Sequence, residues 1–156
     1  MRHMRETISR YWESTYPYVI GLGASVTARF IPSDLPVLLT KNGFSLPAFY
    51  SAVFNIDIFG AGVMISVFVF TQAPAAGFIA KLERLSIYST FKRYLKEAIF
   101  FGLLSGILCM PLLSSTDKLL IHPAMGALSV FAVSTSICFF LLFYRVSRIF
   151  LFWTSR

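Results

Sequence analysis

Residues 48–70 read AFYSAVFNIDIFGAGVMISVFVF. Phe, Val and Ile supply twelve of these residues, and a single charge, Asp57, interrupts them. Crossing roughly 30 Å of hydrocarbon takes about 20 apolar residues at about 1.5 Å each, so the stretch is long enough to span a bilayer. An aspartate at the helix centre costs about 2.5–3.5 kcal/mol, while each branched or aromatic neighbour returns about 0.3–0.6 kcal/mol on the same scale. The sum favours insertion. The stretch therefore reads as a transmembrane helix that tolerates its acid.

Three more apolar runs lie outward from it, at about residues 16–31, 98–113 and 119–144. The 156-residue chain is 56% hydrophobic and 13% charged, against about a quarter charged in an ordinary soluble domain. That excludes a soluble globular domain, which could not cover so much apolar surface, and an intrinsically disordered chain, which needs low hydrophobicity. The expected fold is all-α: one integral membrane domain over residues 1–156, with four transmembrane helices and no room for a separate catalytic domain. Val26-Thr27-Ala28 has the small-residue pattern of a signal-peptide cleavage site. The segment before it carries Trp12, Glu13 and Pro17 and makes a poor leader, so the first run is read as a retained span.

The net charge is +7. Eleven basic residues fall on one side of the four runs: Arg2, Arg5 and Arg10, then Lys81, Arg84, Lys92, Arg93 and Lys96, then Arg145, Arg148 and Arg156. Three fall on the other: Arg29, Lys41 and Lys118. Cytoplasmic loops carry the excess of Lys and Arg, so both termini and the 71–97 connection are expected in the cytoplasm. The outer connections are turn-rich at 32–47 and short at 114–118. The basic residues flank apolar runs, which points to topology and anionic lipid rather than direct nucleic-acid binding.

Within 71–97, Phe78, Leu82, Leu85, Tyr88, Phe91 and Leu95 recur at steps of three and four. This predicts a basic amphipathic helix that runs on into the third span. It serves either as an interfacial helix on the inner leaflet or as a docking surface for a cytosolic protein, with Lys81, Arg84, Lys92, Arg93 and Lys96 as the docking residues.

Asp57 is the one acid deep in a span and the first functional candidate, as hydrogen-bonded glue between helices or as a gating, proton-sensing or ion-passage residue. Arg29 is a possible partner, although snorkelling accounts for it equally well. Ser51, Asn55, Gly62 and Ser66 form a small polar stripe that suits either a pore lining or helix packing. Gly102 and Gly106 make a GxxxG element for close backbone approach, inside the chain or between subunits, and homo-oligomer formation is expected. Cys109 and Cys138 lie in apolar runs and behave as small hydrophobes. No metal or cofactor motif is present. Ser134-Thr135-Ser136 lacks a neighbouring base, so no enzymatic activity is expected.

The segments Pro17-Tyr18-Val19-Ile20 and Arg29-Phe30-Ile31-Pro32 resemble the first span of RexB, the four-span inner-membrane protein of the lambda exclusion system. The general plan is also similar to KwaA of the Kiwa system, which works with a cytosolic, nucleic-acid-binding partner. The RexB resemblance implies an ion-conducting effector of antiphage defence. The KwaA resemblance implies a membrane sensor or platform that recruits its partner. Both place the chain in the bacterial inner membrane. A small transporter or an accessory subunit of a larger membrane complex is the alternative, but no internal repeat or matched pair of broken helices stands out.

Overall fold

The computed structural model describes residues 15–27, 41–72, 87–114 and 122–154. Four helices fall within them: α1 over 15–27, α2 Leu46–Phe70, α3 Ile87–Leu113 and α4 Pro123–Thr154. Three contain stretches long and apolar enough to cross a bilayer: Leu46–Phe70, Tyr88–Leu113 and Pro123–Leu151. This is a multi-pass membrane protein. The described part of α1 extends only about 20 Å at the helical rise.

Local chemistry sets the ends. Ser45 caps α2 by accepting from the Ala48 amide, and Pro47 occupies the first turn, where a missing amide hydrogen costs nothing. Gly43, at φ +80°, makes the turn before it. At the other end the Thr71 amide closes on Val67 and Phe68, and the Thr71 carbonyl accepts from Tyr88 Oη at 3.0 Å. Pro123 opens α4, with the His122 ring accepting from the Ala124 amide. The α3 helix begins eleven residues before the third apolar run. Nothing between Ile87 and Ala98 breaks a helix, and Arg93 pairs with Glu97 one turn later at 2.9 Å. The α4 helix likewise runs ten residues past Tyr144.

Contacts fix the directions. Phe68 lies beside Lys96, and Ile58 beside Gly106, so α2 and α3 are antiparallel. Tyr50 bonds Ser129 and Asp57 bonds Ser136, so α2 and α4 run together. Pro17 meets Cys138 and Ser25 meets Ser134, so α1 runs against α4. The α3 helix lies between α2 and α4 and packs extensively on both.

Lipid tails are as apolar as leucine, so these helices gain little from hiding apolar faces and associate through close packing and hydrogen bonds. Glycines make the close packing. The Phe139 ring of α4 sits in a notch between Gly60 and Gly102, where a Cβ on either would come within 2.6 Å and 3.0 Å of it. A Cβ on Gly106 would meet Ile58 at 2.5 Å. The GxxxG element is therefore used inside the chain. On α1, a Cβ on Gly21 would strike the Cys138 sulfur at 2.3 Å.

Two apolar clusters result. One gathers Met64, Phe91, Leu95, Ala98, Phe139 and Leu142. The other gathers Leu46, Tyr50, Cys109, Leu112 and Ala132. Between them lies a thin polar layer.

The Phe139 notch can be tested directly. Gly60→Ala should cost about 1–3 kcal/mol through overpacking. Gly62→Ala, where a Cβ meets open space, should be neutral within about 0.5 kcal/mol. Unfolding in mixed SDS and neutral-detergent micelles measures both.

Candidate functional site

The polar layer is centred on Asp57. It lies one residue from the middle of α2 and is 0% exposed. Ser105 of α3 contacts its Oδ2 at 2.6 Å, and Ser136 of α4 donates to its Oδ1 at 3.1 Å. Ser105 Oγ is also 3.2 Å from the Ala132 carbonyl. The shorter contact makes Asp57 the main acceptor of the Ser105 hydrogen and the Ala132 carbonyl the weaker one. Ser105 and Ser136 thus donate one hydrogen bond to each of the two carboxyl oxygens of Asp57. Among the described residues no cation takes part. The group therefore ties three helices together at one level.

The other polar residues of α4 have similar tasks. Ser134 bonds Ser25 of α1 at 2.6 Å. The Cys138 thiol donates to the Pro17 carbonyl at 3.3 Å. Thr135 bonds back to the Phe131 and Ala132 carbonyls of its own helix.

The polar stripe on α2 faces elsewhere. Asn55, Gly62 and Ser66 are exposed and Ser51 is half-buried, with Ser66 bonded to the Gly62 carbonyl at 3.0 Å. No hydrogen bond joins the Asn55 side chain to another described residue. Asp57 and Asn55 thus do not belong to one site, as their separation of about 200° around the helix requires.

Arg29, Lys81 and Arg84 lie outside the described residues. Lys92 sits over the Tyr88 ring at 4.4 Å, Lys96 over Phe68 at 5.8 Å, and Arg93 holds Glu97. All three occupy the first turns of α3. The C-terminal part of α4, with Arg145 and the exposed Arg148, shares their end of the bundle.

Arg145 differs from the rest. Its residue is 9% exposed, and its guanidinium lies 4.0 Å from the Tyr16 ring centre and 5.0 Å from that of Tyr94. Its Nη1 is buried without an acceptor. Each ring contact contributes about 0.5–2 kcal/mol. Burying an ion costs several kcal/mol even after relaxation. The two tyrosines do not close that gap. Glu97 Oε2 is likewise buried without a donor, although Oε1 holds Arg93.

Sequence reasoning missed Ser105, Ser136 and the Arg145 enclosure. Ser105 stands inside the GxxxG element, which draws attention to its glycines. The available signal was depth: Asp57 is at mid-helix, and a hydroxyl near the middle of each neighbouring span could reach it. Comparison of the chain with protein-family models, characterised proteins and solved structures gives no match.

Asp57→Asn should keep stability within about 1 kcal/mol, because its amide donates to Ser105 and its carbonyl accepts from Ser136. Asp57→Leu should lose about 1–3 kcal/mol and loosen the contact of α2 with α3 and α4. Ser105→Ala should cost about 0.6–1.7 kcal/mol. Micellar unfolding again gives the values; a stable Asp57→Leu would remove the structural role.

Proposed function

We propose that this chain is an inner-membrane component of a bacterial antiphage system and serves as a four-span platform or sensor that recruits a cytosolic, nucleic-acid-binding effector. The observation that carries this reading is the charge at one end of the bundle. Among the described residues, Lys92, Arg93, Lys96, Arg145 and Arg148 gather there, and Lys41 is the one Lys or Arg toward the other end. Under the positive-inside rule that end is cytoplasmic, with both termini inside and the 71–97 connection on the same side. Exposed cations there offer an acidic protein surface a set of rim contacts, which govern encounter rate and partner choice. Asp57 supports the platform role by its closure: its oxygens are taken up by serines of this same chain.

A second reading, a depolarising pore, draws on α2. Ala48, Ala52, Asn55, Phe59, Gly62, Ser66 and Val69 are all exposed and recur at alternating steps of four and three. That is the spacing of a helix–helix seam. An unpartnered amide in hydrocarbon favours a second polar group, and another copy of Asn55 supplies both donor and acceptor. Homo-oligomer formation through this face would place the stripe at subunit contacts or around a shared axis.

Two measurements separate these readings. In spheroplasts, a cysteine replacing Lys41 should react with an impermeant maleimide and one replacing Lys81 should not; Cys109 and Cys138 are buried and give a low background. Lys92→Glu and Lys96→Glu, made singly, should reduce partner co-purification and phage protection while leaving insertion intact. If Asn55→Leu abolishes depolarisation during phage challenge and the charge reversals change nothing, the pore reading replaces the platform.

A further inference from the structure

We infer that Arg145 is a binding site for the phosphate of an acidic phospholipid, formed where α1, α3 and α4 meet. The site is independent of the antiphage reading. Three observations converge on it.

The first is the missing anion. Arg145 is nine-tenths buried, its Nη1 has no acceptor, and no ion pair joins it to a described carboxylate; Glu97 holds Arg93 instead. The second is depth. Arg145 lies nine residues beyond Ser136, which is about 13–14 Å along the helix from the Asp57 layer. With the Asp57 layer taken as the midplane, a hydrocarbon half-thickness of about 15 Å puts Arg145 just inside the edge of the hydrocarbon, within a side chain's reach of the lipid headgroups. Lys96 lies nine residues before Ser105 on antiparallel α3 and reaches the same level independently.

The third is shape. The guanidinium lies over the Tyr16 and Tyr94 rings, and neither ring accepts a hydrogen bond from its Nη1. A guanidinium edge presents paired N–H donors that match two oxygens of a phosphate. Nη1 is enclosed, so binding requires a ring to turn aside. Tyr16, half-buried and at the start of the described α1, has more freedom than the buried Tyr94. Lys96 and Arg148 disfavour a headgroup that carries its own cation, which selects an acidic lipid over a zwitterionic one.

The test uses the full chain purified in neutral detergent at constant ionic strength. Thermal midpoints are read with added phosphatidylglycerol, phosphatidylcholine or inorganic phosphate, and lipid retention by native mass spectrometry. Phosphatidylglycerol should raise the midpoint, with phosphatidylcholine and inorganic phosphate doing little. Arg145→Gln should retain phosphatidylglycerol about tenfold less well, and Lys41→Gln should match the parent. Should Arg145→Gln fail to fold, Arg145→Lys keeps the charge without the paired donors and should show a loss of the same order. Equal retention by the Arg145 variants and the parent would overturn the site. Equal stabilisation by phosphatidylcholine would reduce it to general lipid contact, and equal stabilisation by inorganic phosphate would make the ligand a soluble anion; either defeats the proposal.

Discussion

The two serines that close on Asp57 hold the bundle in register. An acid at mid-bilayer has no water to turn to, so its hydrogen bonds must come from neighbouring helices. Once Ser105 and Ser136 supply them, other positions follow from helical spacing. Gly102 and Gly106 lie within one turn of Ser105 and are pressed against α2. Phe139, three residues beyond Ser136, enters the notch between Gly60 and Gly102. Ser134 and Cys138 flank Ser136 by two residues on the other side of α4, where they meet Ser25, Gly21 and Pro17 of α1. A slip of α2 by one residue would turn Asp57 about 100° out of the bundle and empty the layer.

The chain treats its buried acid and its buried base differently. Asp57 is satisfied from within, because the hydroxyls of Ser105 and Ser136 take up both of its oxygens. Arg145 has no carboxylate partner among the described residues. Tyrosine faces cover it without neutralising it. Among the described residues the central layer is therefore complete, while Arg145 is left without an anion. An incomplete charge at a membrane boundary invites an anion from outside, whereas a completed carboxyl at the centre invites nothing.

Much of this architecture was legible in the sequence. The apolar runs predict four spans, of which three are bilayer-length helices among the described residues, and Asp57 stands out because its insertion cost is large against each neighbour's gain. The GxxxG spacing announced close approach without saying to what, since small residues serve contacts within and between chains alike. Helix ends are legible in part: the three-and-four spacing predicts a helix that runs on into the third span, as α3 does, whereas α4 continues past the apolar run that ends at Tyr144. Lys92, Arg93, Lys96 and Glu97 lower hydropathy but form helix readily, so α3 extends back through them to Ile87. The partners of Asp57 could not be identified from one sequence, because serine is common in transmembrane helices and only the crossing geometry selects Ser105 and Ser136. In the sequence Arg145 is one topology charge among eleven; its enclosure depends on Tyr16, more than a hundred residues away.

Closure of the centre bears on what such a bundle can do. A pathway through one chain would have to pass the Asp57 layer, where Phe139, Asp57, Ser105 and Ala132 are fully or almost fully buried. Opening it would break the hydrogen bonds that join α2 to α3 and α4 and leave polar groups unmet in hydrocarbon. Conduction, if it occurs, is more economically placed outside the single chain, along the exposed α2 face that carries Asn55 and Ser66. Recruitment makes no such demand, because the exposed cations at the end of the bundle can meet a partner while the layer stays shut. The same geometry thus separates the two proposed readings: a pore needs the α2 faces of several copies to converge on an axis, and a platform needs only the charged end to remain free.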